Sequence, residues 1–82
     1  MILHVKEARY LHDHSIWLRF NDGAEGEVDL ADELTGEVFG PLIDLEVFRR
    51  FRIDPVMETI AWETGADLAP EFFYENLKIS GD

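Results

Sequence analysis

The sequence contains no cysteine. This excludes structural disulfides, thiolate metal sites and a cysteine nucleophile, and it agrees with a reducing cytoplasm as the expected location. Basic residues are scarce: 7 Lys and Arg stand against 18 Asp and Glu, a formal net charge of −11. Nucleic-acid binding draws most of its affinity from cations that neutralise phosphates. DNA, RNA and anionic membrane surfaces are therefore not expected partners. Serine is confined to Ser15 and Ser80, neither in the setting of a nucleophile, and the glycines do not form a phosphate cradle. No apolar run approaches the roughly 20 residues that a bilayer span requires. Met1 to Lys6 lacks the charged stretch and long apolar run of a secretory signal. Together these absences lead to the expectation of a protein that is not an enzyme, carries no cofactor and does not enter a membrane.

Hydrophobic residues make up 46% of the 82 positions, and six Phe, two Trp and two Tyr supply large apolar area. Domains run to roughly 50–200 residues, so one domain is expected, with its core over about residues 3–77 and a frayed tail over residues 78–82. Residues 5–11 have strand character. Asp13-His14-Ser15 reads as a turn. In the next segment Ile16, Leu18 and Phe20 alternate with Trp17 and Arg19, which places the first three on a buried face. Asp22-Gly23 is a hairpin signal, because glycine tolerates the positive φ that tight turns need. Val28 and Leu30 return on the same buried face.

Asp44 is a candidate N-cap for a helix reaching about Phe51, with Leu45, Phe48 and Phe51 at helical spacing. Arg49, Arg50 and Arg52 fall near its end, where positive charge opposes the helix dipole. Residues 52–55 read as a short strand closed by Pro55, which cannot donate to a ladder. Residues 59–63 read as another strand, with Ile60 and Trp62 on one face. Pro70 and Glu71 suit the first turn of a last helix to about Leu77, stapled by Leu68 and Phe73. The sum is an α+β fold. It is a mainly antiparallel sheet of about five strands in βββαββα order, with helices packed on one face.

Two clusters are candidates for chemistry. His12-Asp13-His14 puts two imidazoles close together, and on a strand they share a face. Zinc or nickel takes such ligands but needs three or four, and His4 is the only other histidine. A metal- or small-ligand-binding domain using His12, His14 and nearby carboxylates is thus an alternative to a pure interaction role. Glu25, Glu27, Asp29, Asp32, Glu33 and Glu37 form a dense acidic tract that lacks the fixed offsets of a calcium loop and reads as a solvated face. Trp17 and Arg19 lie opposite the buried row, and both residue types are frequent interface anchors. They are candidate interaction residues, with packing in a second small cluster the alternative for Trp17.

The run Trp17-Leu18-Arg19-Phe20-Asn21-Asp22-Gly23, followed by Glu27-Val28-Asp29-Leu30, resembles the opening of an uncharacterised bacterial family, domain of unknown function 2442. Trp62-Glu63-Thr64-Gly65-Ala66-Asp67-Leu68-Ala69-Pro70-Glu71 resembles its most specific signature, and the likeness extends over about residues 3–75. The resemblance implies a small α+β fold without known activity, encoded beside a second small gene in an arrangement similar to a toxin–antitoxin pair. Some members add a helix-turn-helix domain, for which these 82 residues leave no room, so direct DNA contact is not expected. The signature has two readings. Its glycine, Asp67 and proline are turn and cap residues that serve the fold, or Asp67 and Glu71 contact a partner. With the charge of −11, the resemblance suggests an antitoxin-like interaction module for a small basic protein. Self-association through an exposed strand edge is a further possibility.

Overall fold

A computed structural model describes residues 2–78. Strands β1 (Val5–His12), β2 (Ser15–Phe20) and β3 (Glu25–Asp29) form an antiparallel meander in the order β1-β2-β3. The alternation in the sequence decides its two faces. Ile16, Leu18, Phe20, Val28 and Leu30 are buried on the inner face, while Trp17 is half-buried and Arg19 exposed on the outer face. The first turn pivots on Asp13, at φ 46°. Asp is among the few residues that enter the left-handed region readily. The second turn pivots on Gly23, at φ 91°, and the Asp22 carboxylate accepts the Ala24 N–H at 2.9 Å.

The middle of the chain is a series of short helical turns, among them α1 (Gly36–Phe39) and α2 (Leu45–Phe48). Asp44 caps α2 as expected, its carboxylate accepting the Glu46 N–H at 3.0 Å. The helix ends three residues short of Phe51, and the cause is a buried hydrogen bond. A continuing helix would give the Phe48 carbonyl to the Arg52 N–H. Instead the Trp62 indole N–H donates to that carbonyl at 2.8 Å. Arg52 is released into β4 (Arg52–Ile53), which pairs antiparallel with β5 (Ile60–Ala61). Phe48 is fully buried and Phe51, beyond the helix, packs partly buried against the same core, while Leu45 remains exposed.

The five strands divide between two sheets rather than forming one. β4 lies beside β1 without pairing to it, and the Val5 N–H instead donates to the carbonyl of Glu58, in the segment between β4 and β5, at 3.0 Å. β4 is two residues long, and Asp54 and Pro55 turn the chain before a ladder with β1 can extend. The segment after that turn is buried on both sides: Thr59, Ile60, Ala61 and Trp62 all belong to the interior.

Helix α3 (Pro70–Glu75) starts at Pro70 as expected and buries Phe73, with Leu68 packed against the same core. It stops short of Leu77. Lys78, placed in a frayed tail by the sequence reading, instead exchanges two backbone hydrogen bonds with Glu27 of β3, at 2.8 and 3.0 Å. Residues 79–82 of that expected tail lie outside the described residues. Gly26 permits the approach: a Cβ there would stand 2.7 Å from the Lys78 carbonyl oxygen. A glycine within a strand often marks such close passage of a second backbone.

Candidate functional site: the outer face of the three-stranded sheet

The inner face of the meander is consumed by the core. Its outer face carries the side chains that antiparallel register sets side by side. Arg9 of β1, Trp17 of β2 and Glu27 of β3 form one cross-strand row. Glu7, Arg19 and Glu25 form the next. One carboxylate links the two rows: Glu7 accepts from the Arg9 guanidinium at 2.7 Å and from the Arg19 guanidinium at 2.9 Å. The Arg9 guanidinium carbon lies 5.2 Å from the Trp17 ring centroid, within cation–π range. These groups are solvent-exposed or half-exposed, so each ion pair contributes at most about 1 kcal/mol. Their effect is to hold a cation over an aromatic ring.

On β3 the side chains of Glu25, Glu27 and Asp29 alternate outward, about 6.6 Å apart along the strand. Among the described residues Glu25 and Asp29 form no ion pair, and Glu27 is met only by His12, at 3.6 Å. The face therefore presents a half-buried indole, two arginines held by Glu7, and an acidic row at one border.

The structure separates the two histidines that the sequence sets together. The positive φ at Asp13 ends the strand between them. His12 projects outward beside Asp13 and Glu27. His14 turns toward the helical segment, where its Nε2–H donates to the Ile43 carbonyl at 2.9 Å and its ring meets Phe48 edge-on at 5.0 Å. The Ile43 carbonyl can only accept, so Nε2 carries the proton in this contact. His4 faces Glu58 near the start of β1. Among the described residues no three His, Asp or Glu side chains converge as metal ligands.

Asp67 and Glu71 lie on elements other than the one carrying Trp17 and Arg19. The Asp67 backbone bridges to Ala61, and Glu71 occupies the first turn of α3, whose N-terminus has no side-chain cap. The expected capping by Asp67 is thus not formed. Several other residues of the signature pack or pair within the fold. Gly65 adopts φ 92°, its N–H donating to the Trp62 carbonyl at 3.0 Å. The Trp62 N–H donates to Ala66, which is buried. The Thr59 hydroxyl donates to the Leu68 carbonyl at 2.7 Å. Across this stretch strand pairing, turn and core packing act together. A family model described as protein of unknown function matches residues 5–78.

The chain belongs to the DUF2442 family. No curated protein and no solved structure matches it. In this DUF2442 chain Trp62 and Ala66 are buried, whereas Arg9, Arg19, Glu25 and Asp29 are exposed and Trp17, Glu7 and Glu27 half-buried. Among the described residues no helix is long and apolar enough to cross a membrane. Residue-by-residue inspection of the sequence finds Trp17 and Arg19 but misses Glu7 and Arg9. The Asp13 turn alone does not place them, because an irregularity between Tyr10 and His12 shifts the register by one residue and so sets Arg9 opposite Trp17.

Proposed function

We propose that the protein is an acidic interaction module that binds a small basic protein through the outer face of the meander. The observation that carries this reading is the border between Trp17 and the outward row of Glu25, Glu27 and Asp29. A half-buried aromatic anchor beside solvent-facing charge of one sign suits a partner of opposite charge. The net charge of −11 acts over the whole molecule and would speed encounter with a cationic partner. An antitoxin-like role, in which the partner is the product of a neighbouring gene, belongs to the same reading. So do a cytoplasmic location and a binding function in place of catalysis.

Affinity capture of the tagged protein from lysate of its native host, at low and at high salt, tests the reading. A small basic protein retained at low salt and released at high salt is the expected result, because screening shortens electrostatic range to about 8 Å near physiological ionic strength. Retention only of acidic or neutral proteins, indifferent to salt, would count against it.

A further inference from the structure

The Arg9–Trp17 contact bears on how such a partner is held, and the inference rests on the proposed reading. Arg9 is anchored at one end only, by Glu7, and its side chain is 71% exposed. Its guanidinium nevertheless lies over the indole, 5.2 Å from the ring centroid. Glu27 stands across the same ring from Arg9, on the neighbouring strand. A cation taking the place of Arg9 over Trp17 would thus find an aromatic face, the Glu7 oxygen that now holds Arg9 (the other oxygen stays on Arg19), and Glu27 opposite on the neighbouring strand. This is the chemistry that receives a guanidinium: planar stacking and carboxylate acceptors for its forked N–H donors.

We infer that Trp17, Glu7 and Glu27 form a receptor for an arginine of the basic partner, and that Arg9 occupies it in the partner's absence. On binding, the partner's guanidinium takes the ring and Arg9 swings into solvent, as its exposure and single anchor allow. The outward row on β3 then meets further cations of the same partner segment. Alternate residues of an extended segment repeat at about 6.6 Å, the spacing of Glu25, Glu27 and Asp29. Charge disfavours a second copy of this chain as the occupant, because two molecules of charge −11 repel.

The test is titration of the intact protein with a synthetic peptide of alternating Arg and Ser, and with the same peptide carrying citrulline for Arg. Trp17→Leu removes the aromatic quadrupole and keeps an apolar cover, and Trp17→Phe retains a ring. Trp17→Leu weakens binding roughly tenfold and Trp17→Phe restores much of it, the range expected of a cation–π contact. Arg9→Gln tightens binding more than Arg50→Gln, which removes the same charge away from Trp17. Citrulline peptide does not bind. If the Arg peptide binds but is indifferent to Trp17 and treats Arg9→Gln and Arg50→Gln alike, the arginine receptor is wrong while the acidic module stands. If the Arg peptide fails to bind at all, both fall. Circular dichroism and melting of each variant confirm that the fold is retained.

Discussion

The indole N–H of Trp62 donates to the backbone carbonyl of Phe48 at 2.8 Å, and both residues are buried. This bond ends α2 and couples the family signature to the core. Trp62→Phe leaves the Phe48 carbonyl without its partner in the interior, a loss of about 1–3 kcal/mol. Urea denaturation reads it as a lower midpoint at unchanged slope. An unchanged midpoint would show that the bond is replaceable.

Gly26 sets two effects against each other. Glycine within a strand costs about 0.5–1 kcal/mol relative to alanine, so Gly26→Ala gains by that rule. A Cβ at Gly26, however, would sit 2.7 Å from the Lys78 carbonyl oxygen, and that neighbour is backbone. Displacing it disturbs the paired bonds between Glu27 and Lys78, at a cost of about 1–3 kcal/mol. Net destabilisation in thermal melting is the expected sign. Stabilisation would mean that the segment at Lys78 gives way freely.

The two neighbouring histidines respond differently to substitution. His14→Ala loses the bond to the Ile43 carbonyl and the contact with Phe48, about 1–2 kcal/mol in all. His12→Ala, on the exposed face, changes stability by less than about 0.5 kcal/mol. Zinc or nickel is expected to leave the melting temperature unchanged, because the two imidazoles do not converge. A bound metal at a hundred times its dissociation constant would add about 2.7 kcal/mol, a plain shift on melting.

Asp22 and Tyr74 predict a stability contribution bounded on both sides by pH. The Tyr74 hydroxyl donates to the Asp22 carboxylate at 2.7 Å. The Ala24 N–H and then this hydroxyl lower the Asp22 carboxyl below its ordinary value, and the bond to Asp22 raises the Tyr74 phenol. A lowered carboxyl stabilises above its unfolded value, about 4, and that contribution fades as pH falls through the folded value beneath it. A raised phenol stabilises below its unfolded value, about 10, and that contribution fades as pH rises through the folded value above it. The stability difference between the wild type and Tyr74→Phe is therefore constant through the neutral range and narrows at both extremes. A difference independent of pH would refute the linkage.

The parts of the fold that rest on local pattern are legible in the sequence. The Ile16, Leu18 and Phe20 alternation, the Gly23 turn, the Asp44 cap and the Pro70 helix start each follow from a neighbour or two. What is not legible depends on distant partners. The early end of α2 requires Trp62 to reach Phe48, and the order at Lys78 requires β3 to pass beside it. The split into two sheets follows from a β4 too short to pair with β1. The candidate site divides likewise: Trp17 and Arg19 are found from residue type and face, while Glu7 and Arg9 emerge only from register. The histidine pair misleads because one left-handed residue between the two redirects the second.

The claim that the outer face is the binding surface is tested most directly by matched charge reversal. One variant carries Glu25→Lys, Glu27→Lys and Asp29→Lys on β3. A second carries Asp32→Lys, Glu33→Lys and Glu37→Lys on the exposed helical turns that follow. Both change the net charge equally. Capture of the basic partner at low salt should be lost with the first and kept with the second. Equal capture by the two variants, or loss confined to the second, would contradict the account.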